Sequence, residues 1–181
     1  MANFKLWALD TGKMSFDGRF FEALKFIEDF QLLDEKLWTV FVKLFETNPD
    51  DKDLGWRSEF WGKMMRGAAL VYRYTKNERL FEIMEKSVRN LLTTADSLGR
   101  ITTYSIEKEF RQWDIWGRKY VLLGLEYFLE ICADEKLKDG IISSMRRQAD
   151  YIISKVGNSE GKIPITHTSE FWEGLNSSSL L

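Results

Sequence analysis

Leu80, Met84, Val88 and Leu91 recur at spacings of four, four and three, with Glu82, Glu85, Lys86, Arg89 and Asn90 between them. That period predicts an amphipathic helix with one buried stripe. Leu137, Ile141, Met145, Ala149 and Ile152 repeat the pattern, with Lys138, Asp139, Arg146 and Arg147 on the polar side. Gly157-Asn158-Ser159 supplies the turn that ends this second helix. Segments 61–74 and 116–131 are apolar round most of their circumference and carry small residues, Gly67, Ala68 and Ala69 in one and Gly124 in the other. Helices of that kind are buried. Residues 19–30 and 35–45 form a less regular pair, ended by Asn48-Pro49-Asp50-Asp51. Strand-like alternation is confined to 100–105 and 162–168, which read as short extended turns. The expected fold class is all-α.

The chain also repeats itself. Glu59-Phe60-Trp61-Gly62-Lys63 is matched about 55 residues later by Asp114-Ile115-Trp116-Gly117-Arg118: acid, apolar, Trp, Gly, base. Asn77-Glu78-Arg79-Leu80 is matched by Asp134-Glu135-Lys136-Leu137, and Gly99-Arg100-Ile101 by Gly161-Lys162-Ile163. The three landmarks keep their order. A partial third copy starts at Glu170-Phe171-Trp172, and Ser179-Leu180-Leu181 reads as the opening of another buried helix. Units of this length exceed the 33 or 34 residues of ankyrin and tetratricopeptide solenoids. One buried plus one amphipathic helix per unit suggests αα-hairpins in a toroid, with the acid-x-Trp-Gly-base motif at one mouth. Boundaries follow: a divergent first hairpin at 1–55, a second at 56–112, a third at 113–169 and the start of a further one at 170–181. A ring of six such units would need about twice this length, so the chain is expected to be roughly half of an (α/α)6 toroid.

Composition narrows the function. No run approaches the roughly 20 apolar residues of a bilayer span, and the N-terminus has no secretory pattern. With Lys+Arg 26 against Asp+Glu 28, net charge is −2, which argues against a nucleic-acid partner held through phosphates. The single cysteine, Cys132, excludes an internal disulfide framework and points to a reducing, cytoplasmic setting. It follows the second buried helix and reads as a small buried hydrophobe. His167 is the only histidine, so no histidine triad or metal cluster can be assembled. Seven Trp exceed what a simple helical scaffold requires and fit either a bulky core or surfaces on which sugars stack.

At the mouth, Glu59 and Asp114 are expected on adjacent hairpins at similar height. They can cap helix amides, bind substrate hydroxyls, or act as a paired acid and base on a glycosidic bond. Trp61 and Trp116 suit packing between hairpins or sugar stacking, and Trp113, outside the repeated unit, suits a ligand surface better. Lys63, Arg118 and Lys119 hold the neighbouring acids, bind a polar substrate or remain solvated. Ser177 is a helix cap or part of a hydroxyl-rich edge.

Trp56-Arg57-Ser58-Glu59-Phe60-Trp61-Gly62-Lys63, Gln112-Trp113-Asp114-Ile115-Trp116-Gly117-Arg118-Lys119-Tyr120 and Gly174-Leu175-Asn176-Ser177-Ser178-Ser179-Leu180-Leu181 resemble the N-terminal half of bacterial β-L-arabinofuranosidase-type glycoside hydrolases, long known as a domain of unknown function. The resemblance implies an (α/α)6 toroid that hydrolyses L-arabinofuranosides with retention. It also implies a cysteine nucleophile held on zinc by other cysteines and a glutamate, with another glutamate as general acid/base. All of these lie beyond the matched region, so no cofactor is expected in this chain, and zinc only in a full-length relative. What the resemblance leaves to this chain is the non-reacting side of a carbohydrate pocket, at Ser58, Glu59, Trp61, Trp113, Asp114, Trp116, Arg118 and Ser177. Family members carry substrate-binding histidines where Trp113 and Ser177 stand, a departure that bears on which sugar is bound.

The reading is therefore the N-terminal portion of a glycoside hydrolase for L-arabinofuranosides or a related plant-type glycan, inactive alone. Its competitors are a helical-repeat interaction module, and another six-hairpin carbohydrate enzyme of the unsaturated glucuronyl hydrolase or sugar epimerase type. Open end hairpins predict self-association.

Overall fold

The computed structural model describes residues 15–55 and 58–163. The expectations for Ser177, for His167 and for the third motif copy fall outside these residues. The fold is all-α. Helix α1 (Gly18–Ile27) runs into a π-helical turn (Glu28–Leu32), followed by α2 (Glu35–Thr47), α3 (Glu59–Thr75), α4 (Glu78–Leu92), α5 (Asp114–Leu129) and α6 (Glu135–Lys155). The extended turn expected at 100–105 is irregular, and the second is represented by one parallel bridge, Val156 to Ile163. Among the described residues no helix is long and apolar enough to cross a membrane.

Three helices start on side chains suited to the task. Asp34, Asn77 and Asp134 accept hydrogen bonds from first-turn amides: Asp34 from Lys36 and Leu37, Asn77 from Arg79 and Leu80, Asp134 from Leu137. Such caps contribute about 1 kcal/mol each. The second repeat landmark is thus a pair of equivalent N-caps. The third is a pair of equivalent turns, since Gly99 and Gly161 adopt φ of 82° and 80°, a region that favours glycine.

Helices α3 and α5 run side by side and parallel. Ser58 sits against Gly117, Gly62 against Tyr120, Trp61 and Met65 against Gly124, and Arg66 under Tyr127, so positions advance together along both helices. The approach is closer than any other residue type permits. A Cβ on Gly62 would stand 1.9 Å from the Tyr120 carbonyl oxygen, and one on Gly117 1.9 Å from Ser58 Oγ. These are the glycines of the repeated motif, so that feature of the sequence sets the spacing of the central pair.

Outside this pair, α4 folds back on α3, and Trp61 Nε1 donates to Ser87 Oγ at 2.9 Å. Leu80, Met84, Val88 and Leu91 of α4 are buried as the periodicity predicts, and Ile83 joins them. Each such side chain contributes roughly 1.5–3 kcal/mol of apolar burial. Helix α2 lies against α4, with Glu35 bridged to Arg79 and, at 3.2 Å, to Lys86. Arg89 joins α4 to the start of α6 through Asp134 at 2.7 Å. On α6, Leu137 and Ile141 are buried as the spacing predicts, and beyond them the buried face is turned by one residue. Ser144 and Gln148 are buried, while Met145 and Ala149 are only half-buried. The polar pair lies between Leu137 and Ile141, which join the main core, and Tyr151 and Ile152, which pack on a smaller cluster of Phe110, Ile115 and Val156.

The first hairpin departs most from a regular repeat. Helix α1 contains no buried residue. Its flanks touch the C-terminal turn of α3, where the Phe16 amide donates to the Tyr74 hydroxyl at 2.7 Å and Thr75 Oγ1 donates to the buried Glu28 at 2.9 Å.

At the opposite end, the loops after α2 and α4 are stitched together. Asn48 Nδ2 donates to the Thr102 carbonyl at 2.7 Å, the Asp50 amide to the Thr103 carbonyl at 3.0 Å, and the Tyr104 hydroxyl to Asp51 at 2.7 Å. Burial, with Asp51 close by, pushes the Tyr104 phenol well above its usual range. These loops wall the end at which α3 and α5 begin.

Candidate functional site

The parallel start of α3 and α5 brings Ser58, Glu59, Lys63, Trp116, Lys119 and Tyr120 together. Glu59 Oε1 accepts from Lys63 Nζ at 3.4 Å, one helical turn on. Glu59 Oε2 and Ser58 Oγ are buried and have no hydrogen-bond partner. Leaving such an atom unpaired costs about 1–3 kcal/mol, and in a native fold it calls for a reason. Neither side chain caps α3: Ser58, at the cap position, is itself helical and accepts no amide.

The other wall is aromatic. Trp113 and Trp116 meet edge to face at 6.2 Å, and Trp116 and Tyr120 at 5.3 Å. The Lys119 ammonium stands 3.7 Å from the Trp116 centroid and 4.1 Å from that of Tyr120, and Lys63 lies 5.0 Å from Tyr120. Burial, reinforced by Lys63 and opposed by Glu59, lowers the Lys119 pKa. Two hydrogen-bonding oxygens, two ammonium groups and half-buried rings suit a ligand with hydroxyls on one side and C–H groups on another.

Other expected site residues are placed differently. Trp61 is a core residue, fully buried against Ser87 and Gly124, and offers no stacking surface. Asp114 does not face Glu59. Its Oδ1 accepts from Thr102 and from Arg118 Nε at 2.9 Å, and its Oδ2 accepts from the Phe110 amide at 2.7 Å. Arg118 is 2% exposed, held by Asp114 and lying over the Phe110 ring at 4.8 Å. Both are buried, with Asp114 turned towards the loop before α5. The cause is rotation about the helix axis: Gly62 points from α3 towards α5, whereas Gly117 points from α5 back to α3. Equivalent letters consequently face opposite ways. Tyr120 escaped sequence reasoning, although its position four residues after Trp116 puts it on the same helix face.

Among the described residues no three His, Cys, Asp or Glu groups gather as a metal site requires. Cys132 does not fit the zinc thiolate that the resemblance implies. Burial raises its pKa, and its thiol donates to the Asp134 carbonyl at 3.6 Å. Comparison with family models, with curated proteins and with solved structures finds no match for the chain.

Proposed function

We propose that the chain forms part of a six-hairpin carbohydrate enzyme of the β-L-arabinofuranosidase type and supplies the non-reacting wall of its sugar pocket. The observation that carries this reading is the pair of buried, unpartnered oxygens, Glu59 Oε2 and Ser58 Oγ, with Lys63, the ion partner of Glu59, lying over the Tyr120 ring. A furanose hydroxyl donating to Glu59, once that side chain turns outward, would satisfy the orphan acceptor, and its C–H face would lie on aromatic surface. The parallel α3–α5 pair, with both N-termini at one end, supports an arrangement in which inner helices line a common mouth. No bond-breaking step is assigned to this chain.

Titration with methyl β-L-arabinofuranoside, followed by the indole N–H resonances, tests the proposal. Saturable shifts of the Trp113 and Trp116 signals are expected. Glu59→Gln and Trp116→Ala should each weaken binding about tenfold, equivalent to roughly 1.4 kcal/mol. Unmoved indole signals, or unchanged affinity in Glu59→Gln, would remove the site.

A second reading, an interaction module that pairs with its own kind, rests on α1. Phe20 is 81% exposed, Phe26 61% and, in the following turn, Phe30 74%, which gives the first hairpin an apolar outer face. Sedimentation velocity should show a concentration-dependent dimer that Phe20→Gln/Phe30→Gln disperses; a wild-type chain that stays monomeric at every concentration rejects this reading.

A further inference from the structure

We infer that the groove between the first hairpin and α3 binds a small amphipathic anion, an apolar body carrying one carboxylate. The groove encloses about 410 Å³ and is walled by Ile27, Leu32, Phe41, Phe60, Met64 and Val71. That volume lies within the roughly 300–1,000 Å³ of small-molecule sites, whose walls are mainly apolar with a few polar anchors. Two polar side chains join the apolar lining, Gln31 and Lys63, and the Lys63 ammonium lies 5.4 Å from the centroid of the lining residue Phe60. Lys63 therefore sets the charge of the ligand. Its side chain is 44% exposed, and its ion partner among the described residues, Glu59, stands at 3.4 Å. A charge-assisted contact normally closes to about 2.7–2.9 Å, so N–H directions are left for an incoming anion.

Gly67 shows that the space is kept open. It lies within α3, where glycine is less favourable than alanine, yet a Cβ built there meets nothing within 4 Å. No packing demand explains it, in contrast to Gly62 on the same helix. Its missing side chain instead leaves the wall of the groove clear. The concave shape and modest volume favour a small molecule over a partner helix. The groove adjoins the candidate sugar site through Lys63, which is paired with Glu59, but its apolar wall holds no residue of that site.

Decanoate and its uncharged counterpart decan-1-ol, titrated into the full chain below their aggregation limits, test the inference. Decanoate is expected to bind saturably, at least tenfold more tightly than the alcohol. Lys63→Met should erase that preference, and Gly67→Leu should abolish binding of both while the melting temperature holds or rises. Nuclear Overhauser contacts from the decanoate chain to the Met64 methyl and Phe60 ring locate the site without any substitution. Equal affinity for the two probes, absence of binding by decanoate, contacts elsewhere, or full binding in a folded Gly67→Leu variant would each overturn it.

Discussion

Gly62→Ala is expected to lower the melting temperature by roughly 6–12 °C, while Gly67→Ala, five residues along the same helix, raises it by about 1–4 °C. Both changes add one methyl group and improve helix propensity by about 0.5–1 kcal/mol. They differ in what the methyl meets. On Gly62 it would stand 1.9 Å from the Tyr120 carbonyl oxygen and 2.4 Å from its carbon, which are backbone atoms that no rotamer change can withdraw. The helices must part, and with them Trp61, Met65 and Gly124 lose their contacts. Overpacking costs about 1–3 kcal/mol where side chains can adjust; here they cannot, so about 3 kcal/mol or more is expected. For a chain of this size each kcal/mol moves the melting temperature by about 2–4 °C. On Gly67 the methyl meets open space, so the helical gain stands alone. Paired thermal denaturation curves decide the matter. Similar effects from the two substitutions would mean that α3 and α5 do not approach as described. The same separation would draw Lys63 away from Tyr120 and Trp116, so Gly62→Ala should disturb the indole signals of the candidate site as well.

Helices were legible because burial is one-sided and leaves a period in the sequence. The stripe Leu80, Met84, Val88 and Leu91 had one solution, and α4 adopts it. Asn77 and Asp134 were visible as repeat landmarks, and their equivalence is real because capping depends on local geometry alone. The motif around Trp61 and Trp116 behaved otherwise. Its glycines share a role, close approach, but rotation of α5 relative to α3 sends Trp61 into the core and leaves Trp116 half-buried beside Lys119. That rotation is a relation between helices, and no local pattern carries it. The orphan oxygens of Ser58 and Glu59 were equally out of reach, because residue type shows that a carboxylate can accept hydrogen bonds and not whether anything donates to it. The toroid itself stays a proposal: parallel neighbours at α3 and α5 are compatible with it, whereas α1, with no buried residue, does not continue the pattern.

Arg118→Met is expected to cost about 3–5 kcal/mol, the usual penalty for stranding a buried charge. Arg118 lies 2.9 Å from Asp114 and 3.6 Å from Glu109, and its own side chain is 2% exposed. Glu109 also accepts from the Tyr151 hydroxyl and from Arg100 at 3.4 Å, and Arg100 holds Asp96 at 2.6 Å. The network pins the loop before α5 to α6. Methionine fills the space of the arginine stem without its charge, so the loss arises mainly from Asp114 left without its cation, since Glu109 keeps Arg100 and Tyr151. Asp114→Asn in the Arg118→Met background should recover part of it, giving a coupling of at least about 1 kcal/mol in a double-mutant cycle. Arg118→Lys should not, because a single ammonium cannot reproduce the Nε hydrogen bond together with the Nη2 charge contact on Asp114. A loss below about 1 kcal/mol, or strictly additive substitutions, would show that the network does not hold the fold. Acid should attack it from the Asp96 end. Burial alone would raise the Asp96 carboxyl, but the amides of Arg100 and Leu98 and the Arg100 guanidinium outweigh that and hold it below its ordinary value. Its contribution is therefore present above the ordinary carboxylate range, near pH 4, and is lost as the pH falls through the depressed folded value. Melting temperatures measured downwards from about pH 4 should accordingly fall less steeply in Asp96→Asn than in the wild type.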